Sequence, residues 1–266
     1  MEQILMREAS PLSPEQWSAI DATVNRTAAS ILVGRRIAHL YGPLGFGAYV
    51  VPLYVYDTVE GAVRAKLQRQ LPLTPIEHDF AITVRDLEQF NSGLPFDLAP
   101  VAAAAAACAY AEDKLLLFGD AERGLEGFLT AQGTVKLPLG NWEETGAGLQ
   151  SIGQAVARLM SQGIFGPFAA IMHPLQLIKL QRVYGGRGIL ESELIERQLG
   201  GGLYTSPVMP QNQVLVLATQ PHYLDIAVGQ DLVTAYVETT NLEHRFRVME
   251  TVALRLKQPQ AVVVLS

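Results

Sequence analysis

A single cysteine, Cys108, excludes an internal disulfide and any zinc site built on two or more thiolates. Charge is scarce as well. Only 17% of the 266 residues are charged, against about 25% in average soluble domains. Hydrophobic residues make up 49% and the mean hydropathy is +0.18. That surplus of apolar surface implies a large core or extensive contact with partner chains. Lysine and arginine number 20 against 26 acidic residues, a net charge of −6, and nowhere form a basic stripe, so nucleic acid is not an expected partner. No window reaches the roughly 18 uninterrupted apolar residues of a membrane span, and the opening MEQILMREAS lacks the layout of a signal peptide. The expectation is a cytoplasmic protein without a membrane partner.

Motifs for chemistry are missing too. The histidines, His39, His78, His173, His222 and His244, never stand four apart on a helix and have no ligand-like neighbours, so no metal site is expected. There is no G-x-S-x-G, no Walker-type loop and no strand-linked G-x-G-x-x-G; GPLGFG has the wrong spacing and YGGRG follows a helix. No catalytic residue and no cofactor are expected on these grounds. The adjacent acids Glu112 and Asp113 point about 100° apart on a helix and cannot converge as acid and base, so they read as scaffold. Cys108, inside AAAAAACAYA, reads as a small buried hydrophobe.

What is present is patterned for a mixed α+β protein. SPEQWSAIDATVNRTAASILVG predicts a helix capped by Ser13, with Pro14 at its first position, Gln16 completing a capping box, a face of Trp17, Ile20, Val24, Ala28, Ile31 and Leu32, and Gly34 as its stop. AYVVPLYVY and EGAVRAKLQRQLPL predict a long hairpin within residues 42–72, too poor in apolar surface to make its own core. HDFAITVRD predicts a strand, and Pro100 to Phe118 an alanine-rich helix with Ala104, Cys108, Ala111, Leu115 and Phe118 on one stripe. Residues 126–224 alternate helices and short apolar strands, as in a compact mixed domain, and strands return in the tail, with Phe246, Val248, Val252, Leu254 and Leu256 on one face.

The segments PLSPEQWSAID, GRRIAHLYGPLGFG, LPL, AEDKLLLFGDAERGLEGFL, GIFGPFAAIM and VGQDLVTAYVE, in this order along nearly the whole chain, resemble the encapsulins, shell proteins of bacterial and archaeal nanocompartments also known as linocin-type bacteriocins. The resemblance implies the tailed-phage major capsid fold of the Hong Kong 97 type. Residues 1–41 would be an N-terminal helix and arm, 42–72 an extended loop pairing with a neighbouring subunit, 73–125 with 225–266 a peripheral domain carrying a spine helix, and 126–224 an axial domain.

Function follows from the same resemblance. The chain would be a homo-oligomer closing an icosahedral shell around a cargo enzyme, a ferritin-like protein or a dye-decolourising peroxidase, in iron storage or oxidative stress. The cargo would be held by its C-terminal targeting peptide. By position, Ala28, Leu32, Arg35, Ile37 and His39 are the cargo-binding candidates, with Arg35 holding an acidic group or terminal carboxylate, and part of the final strands forming the opposite wall. Tyr184, Gly185, Gly186, Arg187 and Gly188 are candidates for a five-fold pore loop. Two departures stand out: Arg85 falls where some members carry a flavin-stacking tryptophan, so no flavin is carried over, and His39 falls where an acidic residue is common. The alternatives are a protease or bacteriolytic enzyme, disfavoured by the missing nucleophile and base, and a phage major capsid protein, disfavoured by the acidic balance and the short N-terminal segment.

Overall fold

Ser13 opens the first long helix as its sequence requires. Its hydroxyl accepts from the Gln16 N–H while the Gln16 side chain accepts from the Ser13 N–H, and Pro14 takes the first position. The computed structural model describes the backbone of residues 2–59, 62–186 and 188–266. Along it run α1 (Glu2–Leu5), α2 (Pro14–Ile31), α3 (Gly34–Ile37), β1 (His39–Tyr41), β2 (Val50–Val59), β3 (Ala62–Pro72), β4 (Thr74–Thr83), α4 (Val84–Asn91) and α5 (Ala99–Phe118). The middle holds β5 (Gly119–Asp120), β6 (Leu125–Glu126), β7 (Val135–Leu137), α6 (Ala147–Ser161), β8 (Phe168–Met172), α7 (Pro174–Leu180), β9 (Val183–Tyr184), β10 (Ile189–Leu190), α8 (Glu191–Leu199), β11 (Gly200–Thr205) and β12 (Val214–Ala218). The chain finishes with β13 (Leu224–Val228), β14 (Val233–Thr240), β15 (Glu243–Leu256) and β16 (Val262–Leu265).

Two sheets divide the core. In the first, β15 pairs with β4 along one edge and with β14 and then β13 along the other, while β1 extends β13 in parallel. Helices α2 and α5 pack on this sheet, and Phe246 collects Trp17 edge-on at 5.6 Å and Phe80 stacked at 5.2 Å between ring centroids. The second sheet has the order β11-β8-β12-β16-β7 and is covered by α6 and α8 through Ile152, Leu159 and Ile195. Between the sheets lies the turn after α5. Gly119 there has φ +73°, and a Cβ would sit 2.2 Å from the Leu125 carbonyl oxygen, so only glycine passes.

The structure corrects four of the expectations. β16 pairs with β12 and β7, so the last residues lie in the second sheet rather than with 225–256; the run VVVL has both faces buried there, which demands a central position. The strand expected through Asp86 stops at Thr83, whose hydroxyl caps a helix by accepting from the Asp86 N–H, and this puts Arg85 in α4. Gly34 does not simply stop α2 but begins α3. The buried surface of α5 is wider than one stripe and includes Ala105, Ala109, Glu112, Asp113 and Leu116, because α5 is sandwiched between α2 and the strands β4 and β15.

Candidate binding groove and the charge cluster behind it

Where α2 ends, its last turn and the loop before β14 enclose a surface groove of about 380 Å³. Ala28, Ala29, Leu32 and Leu232 give it an apolar floor, and Asn25, Arg35, Arg36 and Asp231 give it a polar rim. Ala28 and Leu32 are held in place by Ala109 of α5, whose small side chain allows the two helices to approach closely. The two helix residues thus serve both the packing of α2 and the groove.

Arg35 is tied to carboxylates of this chain. Its Nε donates to both Glu112 carboxylate oxygens at 3.0 Å, Nη1 donates to Asp231 at 2.7 Å, and Nη2 donates to Glu112 at 2.8 Å and to Glu250 at 2.5 Å. Glu112 and Glu250 are wholly buried, while the Asp231 side chain is 51% exposed. Burial works against the Arg35 charge, yet the Glu112 hydrogen bonds and the surrounding carboxylates outweigh it and hold the guanidinium above its ordinary pKa. Glu250 also shifts upward, which for an acid works against the charged form. Burial, and then the charge of Glu112 beside it, raise it well above the ordinary carboxylate value, and its Oε1 has no hydrogen-bond partner among the described residues.

Asp113 completes the scaffold one residue on. Its carboxylate accepts the Val33 N–H at 3.1 Å and the Gly34 N–H at 3.0 Å, fixing the corner between α2 and α3. A side chain at Gly34 would meet Leu116 Cδ1 at 2.2 Å, so the corner also needs glycine for closeness. Glu112 and Asp113 thus point to separate partners, as their helical angle requires. Burial pushes Asp113 up to about 6 against the two N–H donors, from an ordinary 3.8. A buried acid with a raised pKa contributes most to stability below pH 3.8, and that contribution is lost as pH rises through about 6. On the order of 3 kcal/mol is at stake. Asp113→Asn keeps an oxygen acceptor but no titration, so its melting temperature between about pH 4 and 7 is expected to vary less than the parent's. An unchanged slope would assign the titration elsewhere.

Of the expected cargo-binding residues, the structure brings Ala28, Leu32 and Arg35 together on the groove. It does not bring Ile37, which is 2% exposed and sits in the core of the first sheet, nor His39, which is exposed on β1 and pairs in register with Asp225. Both lie past the corner at Gly34, where the chain turns away from α2. Arg35 commits four of its five N–H donors to the carboxylates of Glu112, Asp231 and Glu250 within this chain. Arg36 is the exposed arginine on the rim, and its Nη2 donates to the Ala29 and Ser30 carbonyls at the C-terminus of α2.

Sequence reading missed Glu250, Asp231, Leu232 and Asn25. Glu250 left a signal: β15 alternates Phe246, Val248, Glu250, Val252 and Leu254 toward the core, and one acid in that inward register requires a buried cation. Within the expected pore loop, Tyr184 ends β9 and Gly185, Gly186 and Gly188 all have positive φ in the tight connection to β10. Arg187 lies outside the described residues. Among the described residues, no group of three His, Cys, Asp or Glu side chains could hold a metal ion, and no helix is long and apolar enough to cross a membrane.

Against known proteins, a family model described as "Encapsulating protein for peroxidase" matches residues 1–253. The type 1 encapsulin shell protein EncA of Myxococcus xanthus is 36% identical over 282 residues, covering 100% of this chain and 97% of that protein. Among solved structures, the virus-like particle from Pyrococcus furiosus superposes with a TM-score of 0.79 at 21% identity, covering 94% of this chain and 99% of the other. The capsid of the Myoviridae phage XM1 superposes with a TM-score of 0.61 at 12% identity, covering 86% and 88%.

Proposed function

The chain belongs to the encapsulin family and is a self-assembling nanocompartment shell protein with the Hong Kong 97 type capsid fold, and from that premise we propose that the groove on α2 holds the C-terminal targeting peptide of an enclosed enzyme. The shell is icosahedral, acts in the cytoplasm as a container and carries out no chemistry itself. Its cargo is a peroxidase of the dye-decolourising kind or a ferritin-like protein, and the family description, which names a peroxidase, supports the former class. The loop of Tyr184, Gly185, Gly186 and Gly188 borders the five-fold pore through which small molecules reach that cargo.

The groove carries this reading. Its apolar floor presents Ala29, which is exposed, and Leu232, which is half-buried, over the packed Ala28 and Leu32, and its volume near 380 Å³ accommodates two or three aliphatic side chains. Each Å² of apolar surface covered there is worth roughly 25 cal/mol, so a few such side chains supply several kcal/mol. The buried charge cluster behind the floor fixes its shape and leaves recognition to hydrophobic contact and to the peptide backbone.

Ala29 is exposed on the groove floor, so a substitution there spares the core. Ala29→Glu is expected to leave particle diameter unchanged in light scattering while cargo per particle, measured by native mass spectrometry after co-expression with the cargo, falls tenfold or more. Normal loading would move the docking site elsewhere.

A further inference from the structure

We propose that the tip of the β14–β15 hairpin, Asn241 and Leu242, is an assembly contact in which the Leu242 side chain seats on apolar surface of a second copy of this chain. The proposal rests on the shell reading above and adds to it a contact separate from the β2–β3 hairpin.

The turn is built against the preference of its type. Thr240 pairs with Glu243, so Asn241 and Leu242 alone connect the two strands, and both have positive φ, 50° and 62°, as in a type I′ hairpin turn. Asparagine tolerates that conformation, and glycine is the favoured residue at the second position. Leucine is not. In the left-handed region its Cβ crowds the following carbonyl oxygen, so a bulky residue persists there only where its surroundings hold it. Packing within the subunit does not offset the strain either, because Leu242 is 76% exposed and residues 238–243 are all exposed. An exposed leucine by itself is ordinary surface. One that is both strained and exposed improves neither the conformation nor the core of its own subunit, and its use lies outside that subunit.

The surroundings hold the turn firmly. The Val84 N–H donates to the Leu242 carbonyl at 2.9 Å, which ties the tip to the start of α4. Beneath the tip the Thr239 hydroxyl lies 2.6 Å from the Tyr236 hydroxyl and 2.6 Å from His244 Nδ1, and Arg245 donates to Glu238 and to Asp79, both at 3.3 Å. A backbone braced in this way presents its side chain at a fixed place. Little order is then lost when a partner covers it.

The occupant follows from what a closed shell requires. One kind of head-to-tail contact closes a ring or runs on as a filament, so a shell needs a second kind at another place on the subunit. The β2–β3 hairpin has its base beside the Thr74 end of β4, where Leu71 and Leu73 are buried. Leu242 marks the other end. β4 and β15 pair from Thr74 with Val252 to Thr83 with Glu243, a span of about nine residues or roughly 30 Å. The two contacts therefore start from opposite ends of the first sheet, and one neighbour's grip at the hairpin base does not cover the tip.

Two measurements on the full-length chain test the proposal. With p-benzoylphenylalanine at position 242, shells formed without cargo are expected to yield, after illumination, a covalent dimer of this chain on denaturing gels. Monomer alone, or capture of another protein in place of a second copy, overturns the contact. Should that chain not assemble, position 241, exposed on the same turn, carries the probe and gives the same readout. The second measurement compares Leu242→Gly, which relieves the turn and removes the side chain, with Leu242→Ala, which removes the side chain and leaves the turn strained. In both, the concentration of dissociated chain needed to form particles is expected to rise roughly tenfold or more. The dissociated Leu242→Gly chain should nonetheless melt about 2–4 °C above the Leu242→Ala chain. A residue that served only the turn would give Leu242→Gly particles as readily as the parent, and that result, or equal melting of the two variants, overturns the proposal. Parent chain that forms no particles overturns the shell reading itself, whereas parental particles with unmoved variants overturn only this contact.

Discussion

Arg35→Met is expected to lower the melting temperature and the yield of soluble, folded subunit sharply at neutral pH. The substitution keeps an unbranched side chain of comparable reach and removes only the charge and its donors. It leaves Glu112 and Glu250, both without solvent exposure, facing one another with no cation between them. Removing one member of a buried ionic network costs about 3–5 kcal/mol. Domains have roughly 5–15 kcal/mol in total. A rescue separates charge from packing. In Arg35→Met combined with Glu112→Gln and Glu250→Gln the uncompensated charge is gone, and solubility should return. Glu250→Gln alone should cost less than Arg35→Met, because burial and Glu112 both work against the charged form at that position and Gln keeps an acceptor for Arg35. Soluble yield and thermal melting across the four chains decide the matter. An Arg35→Met protein that melts with the parent would mean that water or another group neutralises the pair.

The same cluster shows where the sequence was legible and where it was not. Local rules located what local rules control: the capping box at Ser13 and Gln16, the two hairpin strands and the inward face of β15 all follow from spacing within a few residues. Arg35 was named from its place after α2, but its partners come from α5, from the loop before β14 and from β15, at sequence separations of 77, 196 and 215. No periodicity links positions so far apart. The groove suffered similarly. Ala28 and Leu32 were found because they share a helix, whereas Leu232 reaches them only through the pairing of β14 with β15. Ile37 and His39 were carried along by proximity in sequence, and the sharp corner held by Asp113 takes both away.

Removing the distal hairpin, Tyr54 to Leu67, and closing Leu53 to Gln68 with an Asn-Gly turn is expected to give folded subunits that form no closed shells. The hairpin divides at a bulge between Leu53 and Tyr54. Below it, Val51, Leu53 and Leu71 are buried against Leu125, Ala227 and Ala253, so this base belongs to the subunit's own core and is left intact by the deletion. Above it, cross-strand partners such as Tyr54 and Leu67 share a face, and Tyr56 follows Tyr54 on it. This face is apolar and bare: Tyr54 is 42%, Tyr56 47%, Leu67 48% and Val63 71% exposed. A two-stranded ribbon is at best marginally stable alone in water, and an uncovered apolar edge invites pairing with another chain. In a self-assembling shell the available cover is a neighbouring subunit. On that expectation each subunit both lends a hairpin and receives one, so a single deletion would remove two contacts per copy and the loss would multiply around the particle. The melting temperature of the isolated subunit should stay close to that of unassembled parent chain, because no core residue is removed. Light scattering and negative-stain microscopy give the readout: closed particles of parental diameter from the shortened chain would mean that the ribbon is not an assembly element, and that other surfaces close the shell.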